Sequence, residues 1–144
     1  MPKPYLRSAS DQPGALNVGG IKITVLASTQ ETGSYEMFHG AGAEGKGPGP
    51  HHHPWDESLL VTQGEVRVGV ASEEIVATPG SFIHIPAGTP HWFTCSDGAE
   101  FITTTSAGNA AAMFTDFDQK VNWDSPDRDA LVALAAQHQQ IILG

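Results

Sequence analysis

The sequence predicts an all-β domain, a jelly-roll β-barrel or sandwich with a helix packed outside it at the C-terminal end. Three observations carry that expectation. The 144 residues include 16 glycines and 10 prolines but only 16% charged residues, a composition of tight turns between short strands. Short apolar runs recur through the middle of the chain, each closed by a turn signal. The final segment then changes to a helical stripe. At 40% hydrophobic content the chain can build one real core, so a single domain is expected.

Residues 1–20 are polar and turn-rich and are expected to form an N-terminal arm lying over the domain or a partner. The barrel is expected over 21–106. "IKITVLAS" from Ile21 alternates as a strand, "SYEMFHG" from Ser34 gives a second, and "AGAEGKGPGP" is a loop. After it come "WDESLLVTQGEVRVGVA", "EEIVATPG", "SFIHIPAGTPHWF" and "EFITTTS", separated by Gln63-Gly64, Pro79-Gly80 and Asp97-Gly98. Val66, Val68 and Val70 share one face, with Glu65 and Arg67 on the other. Antiparallel strands this short must close or stack to hide their edges, which favours a jelly roll.

Residues 107–144 are expected to be a helical extension of the same domain. A short helix is expected from Ala110 to Phe117, capped by Asn109, with Met113, Phe114 and Phe117 as its apolar side. A second places Leu131, Leu134, Ala135, His138, Ile141 and Ile142 on one stripe. Ser125 serves as its expected N-cap, Pro126 as its first residue, and Asp127 and Asp129 lie near the positive end of the dipole.

The formal charge of -9 argues against nucleic acid and against an anionic membrane surface as partners. No apolar run approaches the roughly 20 residues of a membrane-spanning helix. The single cysteine, Cys95, has no partner for an internal disulfide, and the N-terminus lacks the apolar core of a secretory signal. A cytoplasmic location is therefore expected.

Chemistry concentrates in "GKGPGPHHHPWDESLLVTQG". On a strand, side chains two and four positions apart share a face, so His51, His53 and Glu57 would enter one interior while His52 points away. Imidazoles with a carboxylate suit a divalent first-row ion such as Fe, Ni, Mn, Co or Zn and leave positions open for water or substrate. In "GSFIHIPAGTPHWFTC", the rigid turn Pro86-Ala87-Gly88-Thr89-Pro90 delivers His91 as the fourth proposed ligand.

These two segments resemble the paired motifs of the cupin superfamily. Gly45, His51, His53, Glu57 and Gly64 occupy every position of the first motif; Gly80, Pro86, Gly88 and His91 fit the second. Cys95 stands where the second motif has Asn, which bears on a turn contact and not on the ligands. The chain looks most like the compact single-domain cupins related to quercetin dioxygenases. The resemblance implies a six- to eight-stranded barrel, three His and one Glu around a metal, and a homodimer.

His39 and His84 read equally as donors behind the ligands or as core or interface histidines, and His138 as a packing residue. Cys95 reads as a small buried hydrophobe, and Thr103, Thr104 and Thr105 as strand formers. Trp55, Phe82, Trp92 and Phe93 are the aromatics near the motifs that could wall a substrate pocket, Trp55 foremost because it shares the ligands' parity. The expected activity is that of a metal-dependent dioxygenase on a small, aromatic or hydrophobic substrate, with Glu57 as both ligand and proton acceptor. The alternatives are a metal-dependent isomerase, cyclase or decarboxylase, and a non-catalytic small-molecule-binding cupin. With only Lys46 and Arg67 near the motifs, an uncharged or weakly charged substrate is expected.

Overall fold

The computed structural model describes residues 2–144. Its strands form two antiparallel sheets. The first contains β1 (Leu16–Val18), β2 (Ile21–Ala27), β3 (Tyr35–Ala41), β5 (Glu57–Gln63), β8 (Phe82–Ile85) and β10 (Glu100–Ser106), in the order β1-β2-β3-β10-β5-β8. The second contains β4 (His51–His52), β6 (Val66–Val70), β7 (Glu73–Ala77), β9 (His91–Cys95) and β11 (Ile141–Ile142), in the order β11-β4-β9-β6-β7. The two sheets are not joined by hydrogen bonds into a closed cylinder. Their inner faces share one core, in which Ile23, Phe38, Leu59 and Phe101 from the first sheet meet Val66 and Val68 from the second. This is the jelly roll that alternation along the strands predicts.

Sheet pairing begins at Leu16, inside the segment expected to be an arm, because Gly19 and Gly20 adopt positive φ and turn β1 back onto β2. Three residues of alternation are too few to read as a strand from sequence. Within the described residues no helix is long and apolar enough to cross a membrane.

Among the described residues, three α-helices and one 3-10 turn (Ala9–Asp11) lie outside the sheets. Helix α1 (Thr29–Thr32) is one turn closed by a Ser28–Glu31 capping box. Helix α2 runs over Ala110–Lys120, and Met113 and Phe117 are buried as expected. Asn109 occupies the cap position but makes no capping bond. The acceptor comes from β3 instead: the Glu36 carboxylate, only 2% exposed, accepts from Ala111 N through Oε1 and from Thr29 N through Oε2, both at 2.9 Å. One buried carboxylate thus ties the N-termini of α1 and α2 to the sheet. Removing it leaves two backbone donors without acceptors. Glu36→Ala is expected to lower stability by about 3 kcal/mol and the thermal midpoint by roughly 10 °C, measured by calorimetry.

Helix α3 spans Arg128–Gln137, shorter at both ends than the apolar stripe suggests. Its cap is Asp127, whose side chain accepts from Ala130 N, so Ser125 and Pro126 stay outside. It stops because Gln139 takes a left-handed conformation with φ 69°, while Gln139 N and Gln140 N bond back to Ala136 O and Ala135 O. That Schellman closure uses glutamine where glycine is usual, and so leaves no signal in the sequence. Ile141 and Ile142 consequently form β11, not helix, and pair with His52 and His51 of β4. His138 is more than packing: its Nε2 lies 2.8 Å from Asp116 Oδ2 and bridges α3 to α2.

Candidate metal centre

His51, His53 and His91 offer ligand atoms that all lie within 4.8 Å of one another, and all three residues are buried. Glu57, 13% exposed, closes the group, with Oε1 3.3 Å from His53 Nε2 and Oε2 3.7 Å from His91 Nε2. The four residues converge, but not along one strand. Strand β4 ends at His52, and Glu57 opens β5 in the opposite sheet. The chain crosses between the sheets over His53–Asp56, so the four side chains reach their common point from both sheets and do not share one strand face.

The crossing is pinned. Asp56 N donates to Ser106 Oγ at 2.9 Å, Ala87 N donates to Asp56 Oδ1 at 2.9 Å, and Gly88 N donates to His53 O at 2.8 Å. The Pro86–Pro90 turn, with Gly88 at φ 80°, therefore positions His53 as well as delivering His91. His91 is the direct cross-strand neighbour of His51.

Each imidazole is also fixed in tautomer. Nδ1 lies 2.8 Å from Gly49 O in His51, 3.0 Å from Trp55 O in His53 and 2.8 Å from Thr89 O in His91. A carbonyl only accepts, so each Nδ1 carries the proton and each Nε2 presents a lone pair. Nε2 of His53 and of His91 is buried without a hydrogen-bond partner. Burial, then the neighbouring His91 ring, pulls the His51 pKa down to about 4. Burial likewise lowers that of His91. Burial pushes Glu57 upward but is outweighed by the adjacent His53 and by His91 and His51, so its carboxyl sits below the usual range. Neutral imidazole lone pairs facing an ionised carboxylate at these distances repel unless a cation lies between them. The donor set fits a divalent transition-metal ion.

The loop before His51 depends on close backbone approach. Cys95 N donates to Lys46 O at 2.8 Å and Gly45 N to Cys95 O at 2.9 Å, laying the loop along β9. A Cβ on Gly47 would sit 2.0 Å from Phe93 O. Gly47→Ala is therefore expected to cost about 2 kcal/mol or more and to weaken metal retention, read by chelator competition. The Cys95 thiol is buried against Gly42, with its pKa raised by burial to about 11. The turn beside it is held by backbone bonds and by Ser96 Oγ, which accepts from Glu65 N.

Beside the histidines opens a cavity of about 400 Å³. Trp55, Phe93, Ile23, Phe38 and Phe101 form its barrel side. Trp55 is 2% exposed and stacks on His53, ring centroids 4.5 Å apart and planes 8° from parallel. Phe82 does not line it. It is 65% exposed on β8 at the edge of the first sheet, beside exposed Leu60, because its alternation points it to the outer face. His39 pairs with Glu100, and His84 with Ser58; neither lines the cavity. Trp123, Leu131, Ile142 and Arg128, all from the C-terminal extension, contribute to another part of the wall. These residues have no motif of their own. β11 pairing with β4, α3 packing behind it, and the contact of Trp123 with Phe117 of α2 bring them to the site. Arg67 is engaged by Glu74 and does not line the cavity, whereas Arg128, far along the chain, does.

Residues 40–105 match the cupin domain family model. The quercetin 2,3-dioxygenase of Bacillus subtilis (strain 168) is 30% identical over 115 residues, which is 78% of this chain; the chain spans only 34% of that protein. An RmlC-like cupin from Shewanella frigidimarina superposes with TM-score 0.68 at 20% identity, covering 76% of this chain and 96% of that one. The polyketide cyclase RemF of Streptomyces resistomycificus does so with TM-score 0.59 at 20% identity, covering 72% and 80%.

Proposed function

The chain is a member of the cupin superfamily, and from that premise we propose that it is a metal-dependent dioxygenase acting on a small, largely apolar organic substrate. One observation carries the reading: three tautomer-fixed imidazoles and Glu57 face a common point beside an apolar cavity of about 400 Å³. His51, His53, His91 and Glu57 would hold the ion. A divalent ion there supplies Lewis acidity to a substrate oxygen and, where redox-active, a path for electrons to O2. Glu57 would take a proton from a substrate hydroxyl, because its oxygens face the same point as the imidazoles. The apolar walls exclude water and orient the substrate body. Similarity to the Bacillus subtilis dioxygenase supports the choice of reaction.

Oxygen uptake by Fe(II)- or Ni(II)-loaded protein with a panel of flavonols and catechols tests it. Uptake that disappears on chelation is expected; no uptake across the panel contradicts dioxygenase activity. Turnover that persists without oxygen and with Zn(II) would instead mark Lewis-acid chemistry of the isomerase, cyclase or decarboxylase kind, in line with the fold shared with a polyketide cyclase.

A further inference from the structure

We propose that the indole N–H of Trp55 is a substrate-positioning donor, reserved for an oxygen acceptor of the molecule bound beside the metal centre. The inference rests on the metal-site reading. Trp55 Nε1 is buried and has no hydrogen-bond partner. An indole N–H is a donor only, and donors this deep in a folded protein are nearly always paired. Of the three other orphans among the described residues, Thr105 Oγ1 lies in β10, whereas His53 Nε2 and His91 Nε2 are lone pairs facing the metal position. Trp55 adjoins the same place, because its ring stacks on His53 and its carbonyl accepts from His53 Nδ1.

The indole is oriented as well as buried. Gly108 packs against the Cβ, Cδ2 and Cε3 edge, where an added Cβ would meet Cε3 at 2.8 Å. Nε1 lies on the opposite edge of the ring system from Gly108, and Trp55 is one of the residues that line the cavity. The other tryptophan on this cavity differs, since Trp123 Nε1 already donates to Phe117 O at 3.2 Å. The ligand class follows from the pair of functions: one oxygen that reaches the metal and a neighbouring carbonyl, phenolate or hydroxamate oxygen that accepts from Trp55, on an apolar body. Packing alone explains the ring but not a donor left bare.

Trp55→Phe keeps the stacked ring and removes the donor. With Zn(II)-loaded protein, 4-nitrocatechol and benzohydroxamate serve as chelating probes of binding, and metal per chain is measured on the same samples. The expected result is metal content equal to wild type with probe dissociation constants raised about tenfold or more, while Trp92→Phe, outside the cavity, changes neither. In wild-type protein the Trp55 indole proton resonance should move downfield when the probe binds, a readout that stands even if the variant does not fold. Equal probe affinity in Trp55→Phe, an unmoved indole resonance, or failure of metal-loaded wild type to bind either probe overturns the inference. Wild type that takes up no metal overturns the metal reading and this one together; absence of oxygen uptake touches only the proposed reaction.

Discussion

Replacing His91 by alanine is expected to lower divalent-metal affinity by more than about a hundredfold, since loss of a residue that merely orients a ligand already costs about 10- to 100-fold. His91 is the direct neighbour of His51 across β4 and β9, and its Nε2 faces Glu57 Oε2 at 3.7 Å. The variant removes a ligand and leaves the Pro86–Pro90 turn, whose Gly88 N bond to His53 O does not involve the imidazole. The fold should therefore survive and metal-dependent stabilisation should vanish. Titration calorimetry with Zn(II) reads the affinity, and thermal midpoints with and without ion read the coupling. His52→Ala provides the contrast, because His52 is only partly buried and does not belong to the ligand cluster. Equal affinity in His91→Ala and wild type would remove His91 from the site.

The second large effect is on pH. His51, buried and neutral, has its pKa lowered from 6.5 to about 4 in the fold. Below the unfolded value the unfolded chain takes up a proton that the folded chain refuses, so stability falls as pH drops. This one residue accounts for about 3 kcal/mol between pH 6.5 and 4 in metal-free protein. His91, also lowered, acts in the same direction over the same range. Glu57, held below its ordinary 4.5, contributes stability above that value that is lost as pH falls through its folded pKa. Urea unfolding of chelator-treated protein across this range should show a steadily falling midpoint. A flat profile from pH 7 to 4 would mean that the imidazoles are not buried neutral. Because burial keeps His51 and His91 neutral at pH 7, these two should release almost no protons on metal uptake there.

Sequence spacing picked out four residues that the fold brings together, although its geometric reason was wrong. His51, His53 and Glu57 were legible because a fixed spacing across a sheet-to-sheet crossing survives as a motif, whichever strand each residue joins. Strands with clean alternation, such as Val66–Val70, were legible for the simpler reason that one face is buried. What could not be read is what long-range contact decides. Glu36 caps a helix it precedes by more than seventy positions. Gln139 ends α3 in a conformation usually left to glycine. Ile141 and Ile142 fit a helical stripe and a strand equally well until β4 offers an edge. Phe82 and Phe93 looked alike as aromatics near the motif; strand placement sends one to solvent and the other to the cavity.

Everything proposed for this site requires that His51, His53, His91 and Glu57 hold one divalent ion. X-ray absorption spectroscopy of protein loaded with Co(II) or Ni(II), paired with elemental analysis, tests it directly. One ion per chain with scattering from three imidazoles, reduced when His51 or His91 is replaced, is the predicted result. Substoichiometric metal, or a spectrum without imidazole scattering, would contradict it.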